Sequence, residues 1–148
     1  MTARIIQYGT QFRSADELFE GVSKLLVQDG YVDEHFEQAL KDREASFPTC
    51  LPIEPPVAIP HTDGDHVKKD AIVCILNDRE LTFRALGGGP DDILHPRLAF
   101  MLVMREGGGT HLQELQRLVE RLQDEERVRR IIASKTEADF EAAVEECL

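Results

Sequence analysis

Apolar residues recur at helical spacing in five stretches of the chain and run together in three others. Residues 14–30 carry Leu18, Phe19, Val22, Leu25 and Leu26 on one helical face. Ser14 with Glu17 forms a capping box ahead of them, and Gly30 is the stop. A second helix follows over 34–46, capped by Asp33, with Phe36, Ala39 and Leu40 turned inward and Pro48 beyond its end. Residues 110–123 repeat Leu112, Leu115, Leu118, Val119 and Leu122 behind Thr110 as N-cap. A short helix is expected over 124–134. A last one spans 136–148, with Thr136 and Asp139 at its start and Phe140, Ala143 and Val144 facing the core.

Between the helices the period changes. "DAIVCIL" (70–76) and "RLAFMLVM" (97–104) are continuous apolar runs of strand length, the pattern of strands covered on both faces. "VAI" (57–59) is a shorter one, delivered by a proline-rich loop, "TCLPIEPP" (49–56), that cannot be a regular central strand. "RIIQY" (4–8) suits a short edge strand, and "ELTFRAL" (80–86) alternates as another strand, with Leu81 and Phe83 on one face. "GGGPDD" (87–92) reads as a loop, and the glycines at 107–109 end the 97–104 run. Buried strands need helices on both sides. The order therefore predicts an α/β fold: one domain over residues 1–148, a mixed β-sheet flanked by helices on both faces.

Composition narrows the function. The formal net charge is -11, from 28 acidic against 17 basic side chains, which opposes nucleic-acid binding. The three cysteines, Cys50, Cys74 and Cys147, are widely spaced. They form no zinc ribbon and no redox pair, and suit a reducing cytosol. No signal peptide, membrane span, Walker loop, dinucleotide fingerprint or metalloprotease motif is present.

Chemistry must then rest on the five histidines. His35 falls early in the second helix, and His95 enters a strand ahead of Pro96; both read as structural. His66 follows His61 by five residues with Asp63 and Asp65 between, which leaves a metal site on His61, His66 and Asp65 open. Plain turn chemistry is the simpler account of that segment. His61 differs in setting. Pro60 fixes its own φ and restricts Ile59, so the imidazole sits at a defined place at the end of a short strand. Neutral imidazole is a competent nucleophile at pH 7. Arg43 offers a planar fork matched to phosphate, and His111 lies in the first turn of a helix whose N-terminus favours anions. Each of these two also has an ordinary structural reading.

"REASFPT" (43–49), the His61 of "VAIPHT" twelve positions after Thr49, and "THLQELQRLVERLQ" (110–123) resemble the type-2 enzyme IIA family of the bacterial phosphoenolpyruvate-dependent sugar phosphotransferase system. The resemblance continues through residues 124–144. It implies a mixed sheet flanked by helices. It also implies a phosphocarrier in which His61 takes phosphate from phospho-HPr and passes it to a cysteine of enzyme IIB, which serves the membrane permease enzyme IIC. Arg43 would steady the phosphate and His111 would hydrogen-bond near it, with Glu44, Thr49 and Thr62 in support. No cofactor or metal is implied, and no membrane insertion; the setting would be cytoplasmic and the chain a stand-alone enzyme IIA. Thr62 stands where fructose- and mannitol-type relatives carry glycine, and the loop before Pro60 is longer. That longer loop and the Phe47-Pro48 of "REASFPT" look like the galactitol type. The alternatives are a regulatory enzyme IIA-like phosphoprotein and, more distantly, a metal-binding module.

Overall fold

The computed structural model describes residues 2–105 and 110–148, with Thr110 and His111 described in backbone only. Five strands form the main sheet: β1 (Ala3–Thr10), β2 (Cys50–Leu51), β3 (Val57–Ala58), β4 (Ala71–Asn77) and, further along, β7 (Leu98–Val103). Their order is β1-β4-β7-β3-β2. β1 runs parallel to β4 and β3 parallel to β7, while the β4–β7 and β2–β3 pairs are antiparallel. The sheet is mixed, as the sequence predicts.

Strand alternation divides the core in two. Val73 and Ile75 of β4 and Ala99, Met101 and Val103 of β7 face α1 (Ala15–Gln28) and α2 (Phe36–Ser46), meeting Leu18, Phe19, Val22, Leu26, Phe36 and Leu40. Ile72, Cys74 and Leu76, with Leu98, Phe100 and Leu102, face the opposite way. There they pack on Leu118 and Leu122 of α3 (Thr110–Arg121), Val128 and Ile131 of α4 (Glu125–Ile132), and Phe140 and Val144 of α5 (Glu137–Cys147). Both faces of β4 and β7 are covered, so both strands are apolar except for Asn77, which ends β4 and whose side chain is fully hydrogen-bonded. That is why they read as continuous apolar runs.

Caps set the helix ends. Ser14 accepts from the Glu17 amide, and Thr136 from the Asp139 amide. The Glu17 carboxylate reaches back to the Arg13 amide rather than to Ser14. Gly30 follows α1 with φ +77, a left-handed conformation that favours glycine.

Some expectations fail. α2 begins at Phe36 with His35 as its N-cap. Asp33 instead accepts from the His35 amide and closes the turn that precedes the helix. α3 already includes Thr110, so its cap falls among residues outside the described ones, as do the glycines 107–109. Leu112 is 57% exposed: the apolar stripe of α3 outruns the edge of the core by a turn. "ELTFRAL" yields only β5 (Phe83–Arg84), and β6 (Ile93–Leu94) pairs with it antiparallel in a separate ribbon. Two-residue strands owe their existence to a partner distant in sequence, and local pattern cannot announce them.

Asn77, fully buried at the end of β4, holds the loop after β1. Its Oδ1 accepts from the Phe12 amide at 2.8 Å and the Thr10 hydroxyl at 2.9 Å; its Nδ2 donates to the carbonyls of Phe12 and Arg79, both at 2.9 Å. Asn77→Ala strands these groups and is expected to cost about 2–4 kcal/mol, given about 1–3 kcal/mol for each unsatisfied buried partner after partial rescue by solvent. Urea unfolding measures it.

Candidate functional site

The short strand β3 aims the site. Its parallel pairing with β7 carries Val57 and Ala58 beside Leu98 and Ala99, and the register continues past the strand. The Leu102 amide donates to the Pro60 carbonyl at 3.0 Å, and His61 bridges to Leu102. On the other side the Ile59 amide donates to the Thr49 carbonyl at 3.3 Å. His61 therefore leaves a backbone held from both flanks, with Pro60 locking φ between the two holds. It is half-buried and directly followed by the buried Thr62.

The ring is oriented as well as placed. His61 Nδ1 lies 2.8 Å from the Ile59 carbonyl oxygen. A carbonyl only accepts, so Nδ1 carries the proton and donates. In the neutral ring the lone pair is then on Nε2.

Behind this lies Glu44. Its two carboxylate oxygens accept from the Thr49 amide at 2.9 Å and the Thr49 hydroxyl at 2.7 Å. The end of α2 is thereby tied to Thr49, Thr49 to Ile59, and Ile59 to His61. Burial pushes the Glu44 carboxyl above its ordinary value; the two bonds from Thr49 and the nearby Arg84 charge act against that and only partly offset it.

Of the residues expected at the site, the structure joins Glu44, Thr49 and His61 in one hydrogen-bonded series and buries Thr62 beside them. Arg43 sits in the last turn of α2, exposed, its guanidinium 4.4 Å from the centre of the Phe47 ring. The side chain of His111 lies outside the described residues, and its backbone is in the first turn of α3.

His66, one of the residues of the metal alternative, has another partner. His66 Nδ1 contacts Asp33 Oδ2 at 3.0 Å, in a tie between the 3-10 turn Gly64–His66 and the α1–α2 connection. Burial pushes the Asp33 carboxyl up, but bonds from His66 and the His35 amide outweigh it and hold it below its ordinary value. Among the described residues no group of three or more His, Cys, Asp or Glu side chains could hold a metal ion. The thiols are no rivals to His61 either. Burial raises both Cys50 and Cys74 to about 12, leaving them protonated at neutral pH.

Residues 1–147 match the model of the family described as phosphoenolpyruvate-dependent sugar phosphotransferase system, EIIA 2. The chain belongs to this family. It is 31% identical over 85 residues to the galactitol-specific EIIA component of Escherichia coli K12, a stretch covering 57% of this chain and 57% of that relative. The enzyme IIA fold extends much further along the chain. The mannitol enzyme IIA of Escherichia coli, in complex with phosphorylated enzyme IIB, superposes with a TM-score of 0.76 at 26% identity, over 95% of this chain and 94% of that one. The crystal structure of the same organism's mannitol IIA gives 0.74 at 27% identity, over 94% of each. Among the described residues no helix is long and apolar enough to cross a membrane.

Thr49→Val removes one of the two bonds that hold the Glu44 carboxylate. It is expected to lower unfolding free energy by about 1–2 kcal/mol, read by urea denaturation. The raised Glu44 value has its own signature. A folded state that holds the proton more tightly than the unfolded chain loses stability as pH rises from the ordinary value of 4.5 through the raised one. Unfolding free energies measured from pH 4 to 7 should show this fall in the native protein and lack it in Glu44→Gln.

Proposed function

We propose that this enzyme IIA is a cytoplasmic phosphocarrier. Its His61 takes the phosphoryl group from phospho-HPr and passes it to a cysteine of an enzyme IIB that serves a membrane enzyme IIC. The observation that carries the reading is the Nδ1–H bond to the Ile59 carbonyl. It supports a ring protonated at Nδ1, and with it Nε2 as the attacking atom.

In the accepting step the Nε2 lone pair forms a bond to phosphorus while the N–P bond of the donor phosphohistidine breaks, and the donor imidazole leaves with that electron pair. His61 gains positive charge as Nε2 becomes bonded to phosphorus. Its Nδ1–H becomes more acidic, and the bond to Ile59 strengthens as the reaction proceeds. An interaction stronger in the transition state than before it lowers the barrier. In the donating step a thiolate of enzyme IIB attacks phosphorus, and the pair returns to Nε2. Transfer of this kind asks for positioning and charge stabilisation rather than new covalent chemistry. Arg43 and His111 supply the charge on the phosphoryl oxygens in this reading, and Glu44, Thr49 and Thr62 keep His61 in place.

A polyol is the favoured transported sugar. The 31% identity to the galactitol component and the 26–27% identity to mannitol IIA structures both support it. The longer, proline-rich loop before Pro60 is what inclines the choice toward galactitol.

The test is transfer itself. Incubated with phosphoenolpyruvate, enzyme I and HPr, the protein should gain one acid-labile phosphate by intact mass, and His61→Gln should gain none. Because the ring is half-buried with its backbone held independently, that substitution should leave unfolding free energy within about 1 kcal/mol of native. Phosphate retained by the Gln variant would refute His61 as acceptor.

A further inference from the structure

We infer that Phe47 is a positioning residue for phosphoryl transfer, an aromatic platform that holds the Arg43 guanidinium ready at the site. The inference rests on the phosphocarrier reading, in which Arg43 meets the phosphoryl group.

Phe47 is 60% exposed, a large apolar ring left on the surface immediately after α2. It follows Arg43 by four residues, and its amide donates to the Arg43 carbonyl at 2.7 Å as the helix closes. That bond fixes where the ring stands relative to the helix turn bearing Arg43. The guanidinium carbon then lies 4.4 Å from the ring centroid, within the range of cation–π attraction. Among the described residues Arg43 makes no ion pair, although the chain carries 28 acidic side chains.

The choice of partner matters chemically. A carboxylate would occupy the N–H fork that a phosphoryl group needs. An aromatic face engages the delocalised charge and takes up none of the five N–H donors. It also restricts a long side chain that otherwise loses considerable rotamer freedom when it meets a ligand. The same turn is anchored toward the site by the next residue, since Glu44 binds Thr49 and Thr49 leads to Ile59 and His61. Phe47 thus sets the direction of Arg43 from one side while Glu44 sets the position of its helix turn.

The experiment is a set of rapid-mix transfers from purified phospho-HPr to the full-length protein, with native, Phe47→Leu, Phe47→Tyr, Arg43→Ala and the double variant Arg43→Ala/Phe47→Leu. Phe47→Leu should lower the saturating transfer rate about fivefold while Phe47→Tyr, which keeps the ring, restores it. In the Arg43→Ala background, Phe47→Leu should add nothing, because its effect passes through the missing guanidinium. Equal loss in both backgrounds, or a change in KM for phospho-HPr with the saturating rate intact, would overturn the inference and make Phe47 a docking residue. A saturating rate unchanged in Phe47→Leu would overturn it outright. Failure of the underlying reading looks different: the native protein itself would then take no phosphate.

Discussion

The site depends on one hydrogen bond, from His61 Nδ1 to the carbonyl of Ile59, two residues back. That contact needs a backbone that stays fixed from Ile59 to His61. Pro60 restricts it, and two hydrogen bonds from opposite flanks hold it: Leu102 to Pro60, and Ile59 to Thr49. One flank is β7, and the other extends the β2–β3 pairing through Thr49, which Glu44 ties to the end of α2. The geometry around His61 is therefore set by the packing of the whole sheet. A two-residue strand, β3, suffices to aim the imidazole because β7 beside it is buried on both faces and cannot shift.

Glu44 shows the cost of this arrangement. A carboxylate held in partial burial is disfavoured, and two bonds from Thr49 do not fully offset it. In return it joins the exposed end of α2, which carries Arg43, to the Thr49 segment beside β3. A hydrophobic pair in its place could pack as well but could not fix the Thr49 amide and hydroxyl in direction.

Much of this was legible in the sequence, for reasons that differ by element. β4 and β7 declare themselves because a strand covered on both faces is apolar along nearly its whole length, Asn77 at the end of β4 excepted. α1 and α5 declare their starts through Ser14 and Thr136, whose side chains act within three residues. The β5–β6 ribbon was not legible, since its stability comes from a partner ten residues away. Leu112 misled because helical period reports which face is apolar, and not where the core beneath it ends. The turn at Gly64–His66 was legible from its residue types, but the His66–Asp33 contact was not, since Asp33 lies 33 residues earlier. Glu44 and Thr49 could be read as a motif. That they act through the carbonyls of Thr49 and Ile59 could not, because backbone groups are the same in every sequence.

The central claim is that the Ile59 carbonyl fixes the His61 tautomer, and with it the atom that bears phosphate. Long-range nitrogen–proton correlation NMR on uniformly nitrogen-15-labelled protein, before and after phosphorylation, tests it directly. The account predicts a neutral resting ring protonated at Nδ1, and after transfer a phosphorus coupling to Nε2 with the Nδ1 proton still in place. A resting ring protonated at Nε2, or phosphorus bonded to Nδ1, would contradict it.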